Sequence, residues 1–203
     1  MNKLVIIGAG GQGKVVADIA EKNGYTDIVF LDDNPKADMC GKYRIVGKCS
    51  SATEHKDGEF IVAIGNAVVR KKIQTELVAL GLPVVSLVHP SAVIASNVKI
   101  GAGTVIVAGT VVNSNAEIGE GCIINTCASV DHDCRVGDYV HVSVGARVAG
   151  TVTIGESTMV GAGAVIINNL NVAGNCLIGA GATVVSNITE PGTYVGTPAR
   201  KRN

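Results

Sequence analysis

The chain has 203 residues, room for two small domains, with no tryptophan, 3% aromatic and 47% hydrophobic residues. Its 17 acidic and 17 basic residues balance to zero, which leaves no basic footprint for nucleic acid and few aromatic faces on which bases could stack. No apolar run approaches the roughly 20 residues of a membrane helix, and the start from Met1 to Gly8 is too soon broken by glycine to read as a signal peptide. Six cysteines without CxxC spacing indicate reduced thiols in a cytoplasmic protein with neither membrane nor nucleic-acid partner.

Residues 1–87 read as a small α/β domain. Leu4 to Ile7 is an apolar strand ending in Gly8-Ala9-Gly10-Gly11-Gln12-Gly13, and Lys14 to Asn23 follows as a helix with Val15, Val16, Ile19 and Ala20 inward. Asp27 to Leu31 is a second strand closed by Asp32-Asp33. Phe60 to Ile64 is a third, followed by Gly65-Asn66, a helix from about Val68 to Leu80, and a fourth strand from Pro83 to Leu87. Alternating strands and helices imply a parallel sheet. The glycine run lets backbone N–H groups and a helix N-terminus approach a phosphate, and Asp32 ends the next strand where a ribose or base edge would lie. A dinucleotide fold needs two such halves and there is room for one, so a half-Rossmann domain for a single nucleotide is expected, with a purely structural domain or NAD-like binding as the alternatives.

Residues 88–203 follow a different rule. From Ile94, every sixth residue to Val184 is Ile or Val. The residue two before each is mostly small, as at Ala116, Cys122, Ala128, Cys134 and Ala146. A six-residue period is neither helical nor a strand's alternation; it fits a coil that turns one aliphatic inward on each flat side. Glycine follows the aliphatic at Gly101, Gly119, Gly137 and Gly155, each 18 residues after the last, so three sides complete one coil and glycine marks a corner. The architecture is an all-β left-handed parallel β-helix. Its inward cysteines are packing residues, and Cys40, Cys49 and Cys127 have no base beside them in sequence.

Four histidines exist, His55, His89, His132 and His141. His55 lies in a polar stretch and His89 precedes Pro90 at the domain junction. His132 is flanked by Asp131 and Asp133 near a corner, with Gly150 one coil later. A carboxylate there would fix one tautomer and raise the basicity of the other ring nitrogen; a surface histidine in a polar turn is the equal alternative from spacing alone. His141 follows nine residues on, half a circuit, so the two could meet only across neighbouring prisms in a threefold assembly.

The ladder, Asn125-Thr126, Asp131-His132-Asp133-Cys134, the His141 to Ala146 segment, the GAGGQG run, Leu31-Asp32-Asp33 and the Ala63 to Ile73 segment resemble the sialic acid O-acetyltransferase (NeuD) family of hexapeptide-repeat acyltransferases. Within it they resemble the bacillosamine-pathway (PglD-like) N-acetyltransferases. The resemblance implies acetyl-CoA as co-substrate, no metal, a homotrimer, and a nucleotide-linked amino sugar as acceptor, a UDP-linked 4-amino-4,6-dideoxy sugar. It makes His132 the general base and Asp133 its acidic neighbour. It puts Asn125, His141, Gly150, Ala162 and Ala180 along the CoA cleft, with His141 at the acetyl group. Gly10, Gly11, Gln12, Asp32, Asp33 and Gly65 fall at the nucleotide-sugar site, Gln12 standing where the bacillosamine enzymes have histidine. The basic end after Gly196-Thr197-Pro198-Ala199 could approach the CoA phosphates.

Three other readings remain open on sequence alone: O-acetylation of sialic acid or another sugar hydroxyl, a zinc hydratase using His89, His132 and His141, and a non-catalytic scaffold.

Overall fold

Leu4, Val5, Ile6 and Ile7 have no exposed surface, because Lys3–Ile7 (β1) runs between two parallel neighbours in the computed structural model, which describes residues 3–202. The other elements of this unit are Gly11–Lys22 (α1), Asp27–Leu31 (β2), Met39–Cys40 (β3), Tyr43–Gly47 (β4), Glu59–Val62 (β5) and Ala67–Ala79 (α2). The sheet order is β3-β4-β2-β1-β5, parallel apart from β3, which pairs antiparallel with β4. The chain divides into two compact units, Met1–Pro90 and Ser91–Asn203.

Three local readings change. The first helix begins at Gly11 rather than Lys14, since a Cβ on Gly13 would strike the Gly8 carbonyl and the Phe30 ring; glycine is there for close helix–sheet packing. Its buried face is Gly13, Val16, Ala17, Ile19 and Ala20, with Val15 half-buried. Pro83 to Leu87 does not form one strand: Val84 makes an isolated parallel bridge to Phe60, and the next strand is Leu87–Val88. The β3–β4 hairpin had a legible signal in Gly41, which takes φ 62° at the turn.

In the second unit the ladder residues from Ile106 to Val184 are each at most 3% exposed, while Ile94 and Ile100 at the start of the stack are half-buried. The rungs are two-residue strands, three residues at Cys176–Ile178, and up to the last coil each pairs in parallel with the residue 18 places on, as in Val112↔Val130, Val130↔Val148 and Val148↔Ile166. Three such stacks make the three sides of a left-handed β-helix. Burial of each Val or Ile is worth roughly 1.5–3 kcal/mol.

The corners use glycine differently from the sequence reading. Positive φ falls on every sixth residue from Asn97 to Gly181, and nine of these corner residues are not glycine: Asn97, Asn115, Cys127, Asp133, Tyr139, Thr151, Ser157, Asn169 and Asn175. The row Gly101, Gly119, Gly137 and Gly155 lies two residues earlier, without positive φ. There the next coil comes so close that a Cβ on Gly137 would sit 2.8 Å from the Glu156 nitrogen. Inward Thr and Cys do more than fill space. Thr104 Oγ1 donates to Gly119 O at 2.8 Å, Cys122 Sγ to Gly137 O at 3.2 Å and Cys134 Sγ to Ala149 O at 3.1 Å. Each donor satisfies a corner carbonyl that the sheets leave over. Burial raises the Cys134 and Cys176 thiols above the ordinary range, so they stay protonated.

Gly137→Ala is expected to lower unfolding stability by about 1–3 kcal/mol through overpacking. Thr151→Asn, which puts a left-handed-tolerant residue at a β-branched corner of φ 58°, is expected to raise it by about 1 kcal/mol. Thermal unfolding of both variants beside the parent chain checks the opposite signs.

Candidate active site

The two-residue strand Ser129–Val130 ends at a corner, where Asp131, His132 and Asp133 make the turn before Arg135–Val136. Asp133 occupies the left-handed position, φ 58°, which turns its carboxylate back toward its neighbour. Its Oδ2 lies 2.8 Å from His132 Nδ1. A carboxylate accepts only, so Nδ1 carries the hydrogen and Nε2 holds the free lone pair. Asp131 Oδ1 accepts the His132 backbone N–H at 2.8 Å, and the His132 carbonyl accepts from Thr151 N at 2.9 Å.

Gly150 lies under the ring. A Cβ on it would come within 2.6 Å of both Nε2 and Cε1 of His132. The imidazole thus packs directly against this glycine. The hydrogen bond to Asp133 raises the His132 pKa above its ordinary value, the charges of Asp131 and Asp133 add to this, and desolvation opposes it. Asp133 and Asp131 are held below the usual carboxylate range, Asp133 first by His132 and then by Asn115, and Asp131 first by Asn113 and then by the His132 N–H. The side chains of His132 and Asp133 are 57% and 50% exposed, so in a single chain the pair faces solvent.

His141 and Asn125 come together on another side of the prism. His141 opens a strand between Ile123 and Met159, and Asn125 Nδ2 lies 3.1 Å from its Nε2. Asn125 Oδ1 accepts the Thr126 N–H at 2.8 Å, which leaves the amide nitrogen to face the ring; His141 Nε2 therefore accepts and its hydrogen sits on Nδ1. Ala162 and Ala180 stack at the corner that ends this side, joined through Gly181 N donating to Ala162 O at 2.8 Å, and both are exposed. His132 belongs to the corner between the other two sides. One chain thus brings His132, Asp133 and Gly150 together at one edge, and Asn125, His141, Ala162 and Ala180 along the opposite side.

In the N-terminal unit, Gly10, Gly11 and Asp32 line a cavity of about 480 Å³ together with Lys14, Asn34, Lys36 and Met39. Nothing lies within 4 Å of a Cβ built on Gly10 or Gly11, so their backbone is open at the start of α1, whose positive end favours anions. Asp32 anchors the turn: Oδ2 accepts Ala9 N at 2.7 Å and Oδ1 accepts Asn34 N at 2.8 Å. Lys14 and Lys36 escaped the sequence reading, although both flank the motif residues. Gln12, Asp33 and Gly65 do not line this cavity. Asp33 caps the short helix Cys49–His55 by accepting Cys49 N at 2.9 Å and lines a separate hollow with Ser50 and Glu76. The Gly65 carbonyl accepts from Arg70 Nη1 at 2.8 Å, and the Gln12 amide nitrogen is buried without a partner. Among the described residues no cluster of three or more His, Cys, Asp or Glu is arranged to hold a metal ion.

Residues 3–77 match the family described as the PglD N-terminal domain. The acetyltransferase domain of PglB from Neisseria gonorrhoeae FA1090 is 36% identical, covers all of both chains and superposes with a TM-score of 0.96. The chain belongs to the PglD-like family. The PglB domain has also been solved with acetyl coenzyme A, at 37% identity and a TM-score of 0.96, again covering all of both chains. A point variant of the GDP-perosamine N-acetyl transferase from Caulobacter crescentus, in complex with CoA and GDP-perosamine, is 31% identical over all of this chain and 98% of that one, with a TM-score of 0.95. The UDP-N-acetylbacillosamine N-acetyltransferase of Bacillus subtilis (strain 168) is 37% identical over 114 residues, 53% of this chain; the match spans 52% of that relative, about half its length.

In this PglD-like chain the three atoms nearest a Cβ on Gly150 all belong to the His132 imidazole. Gly150→Ala is expected to lower kcat by about 10²-fold, the scale of a misplacement of about 1 Å, with an unchanged melting temperature. Steady-state kinetics and thermal unfolding of one variant preparation check this.

Proposed function

We propose that the protein is a cytoplasmic acetyl-CoA-dependent N-acetyltransferase acting on a nucleotide-linked amino sugar. The observation that carries this reading is the His132–Asp133 pair, 2.8 Å apart, which leaves His132 Nε2 as the free base beside Gly150. The relatives named for their reactions are N-acetyltransferases, which favours an amine over a hydroxyl acceptor.

The sugar amine attacks the thioester carbonyl of acetyl-CoA, and His132 Nε2 takes the proton as the C–N bond forms. Asp133 stabilises the resulting imidazolium without itself being protonated. Collapse of the tetrahedral species breaks the C–S bond, and the imidazolium returns its proton to the CoA thiolate. The partner of His132 Nδ1 is Asp133 rather than a cysteine or serine, and buried, protonated Cys134 and Cys176 are poor nucleophiles, which favours direct transfer without an acyl-enzyme. Asn125 and His141 receive the acetyl end of acetyl-CoA, and Ala162 and Ala180 line its path.

The two half-sites lie on different sides of the prism, so the complete site forms between copies of a homotrimer. Apolar side chains support that assembly: Val144, Met159 and Leu177 stand 49%, 39% and 44% exposed on or beside the His141 side. The nucleotide is taken by the N-terminal unit, its diphosphate at the Gly10-Gly11 turn with the ammonium groups of Lys14 and Lys36. A UDP-linked 4-amino-4,6-dideoxy sugar is the acceptor.

The purified protein should transfer acetyl from acetyl-CoA to such an acceptor, and His132→Ala should lower kcat by 10²–10⁴-fold, the usual worth of a general base. The base must be neutral and its pKa is raised, so kcat/KM should climb with pH through a midpoint above the ordinary imidazole value of about 6.5 and then level off. Asp133→Asn should move that midpoint down. An unchanged rate in His132→Ala rules the assignment out.

A further inference from the structure

The 18-residue register stacks Asn113-Ser114-Asn115 directly on Asp131-His132-Asp133, one coil apart. Both asparagines reach the carboxylates that flank the histidine. Asn113 Nδ2 donates to Asp131 Oδ1 at 2.7 Å, and Asn115 Nδ2 donates to Asp133 Oδ1 at 3.2 Å. The backbones are tied at the same place, Asp133 N donating to Ser114 O at 3.1 Å. Asn115 and Asp133 both take the left-handed conformation, φ 61° and 58°, so their short side chains leave the corner in the same direction.

These contacts divide the work on Asp133. Its Oδ2 accepts from His132 Nδ1 and its Oδ1 accepts from Asn115. A carboxylate with one oxygen bonded can rotate about its terminal torsion, which is broad and roughly two-fold. With the second oxygen held from the coil below, the plane that faces His132 is fixed. Asn113 acts one step further back: Asp131 Oδ1, which it holds, also caps the His132 backbone N–H.

We propose that Asn115 is a positioning residue for acetyl transfer, holding the Asp133 carboxylate in the plane that keeps His132 in its Nδ1–H tautomer with Nε2 free. Resting on the reading of His132 as the base, this adds an amide that touches neither acceptor nor CoA and acts only through Asp133. Donor and acceptor sit one full coil apart, so the brace exists only when the two coils are in register.

Glycine accepts the φ of 61° at this corner, so Asn115→Gly removes the amide and leaves the backbone at ease. It is compared with Asp133→Ala, the Asn115→Gly/Asp133→Ala double variant and His132→Ala, all as the full chain. The readouts are kcat, KM for acetyl-CoA and for the nucleotide amino sugar, and the pH profile of kcat/KM. The expected result for Asn115→Gly is a kcat lower by about 3–10-fold, the worth of one ordinary hydrogen bond, with both KM values held. The acid-side midpoint should move down toward that of an ordinary histidine. In the Asp133→Ala background, Asn115→Gly should have no further effect. Loss of rate with an unmoved midpoint, or an equal loss in both backgrounds, overturns the positioning role, as does an unchanged kcat while His132→Ala is severely impaired. Full activity of His132→Ala instead removes the base on which the proposal rests.

Discussion

Parallel pairing of residue i with residue i+18 is the constraint on which the second unit depends. One inward Ile or Val per side, repeated from Ile106 to Val184 without a gap, leaves only one register that keeps every aliphatic inside. A slip of a single residue would turn the whole ladder outward. The same register aligns side chains that never meet in sequence. It sets Asn115 under Asp133, and Gly150 against the ring of His132. The chemistry at the corner is a by-product of how the core packs.

That packing fixes where the candidate residues stand in one chain. The imidazole is oriented by Asp133 on Nδ1, and the His132 backbone is held by Asp131 accepting its N–H and by Thr151 N donating to its carbonyl. Yet it stands 57% exposed, where water screens the charges that develop during transfer. Asn125 and His141, which meet at 3.1 Å, occupy the side opposite that corner. A triangular prism cannot fold its own edge onto its own far side. In the proposed homotrimer a second copy closes the gap, with the exposed Val144, Met159 and Leu177 as its contact surface.

Much of this was legible in the sequence where a repeat or a motif carried it. The six-residue ladder gave the prism, the interval of 18 gave three sides, and Asp131-His132-Asp133 marked the turn where His132 meets Asp133. What escaped was geometry without a periodic signature. Gly101, Gly119, Gly137 and Gly155 read as corner residues, but close approach of the next coil is what demands them, and Asn, Asp, Tyr and even Thr accept the left-handed corners. Inward Thr104, Cys122 and Cys134 read as inert filler, because size shows in a sequence pattern and hydrogen bonding to a carbonyl 15 residues on does not. In the first unit, Asp32 and Asp33 are adjacent in sequence yet point to different cavities, as alternation along an extended segment requires. Lys14 and Lys36 carry no motif and were visible only once the chain was folded.

The claim that one active site draws on two chains can be tested by complementation. His132→Ala and His141→Ala chains, each nearly inactive alone, are co-expressed in equal amounts and the mixed oligomers purified. If His132 comes from one copy and His141 from its neighbour, random mixing leaves about a quarter of the sites with both histidines, and about a quarter of the parent activity should return. Mixed oligomers as inactive as either variant alone would contradict a site shared between subunits.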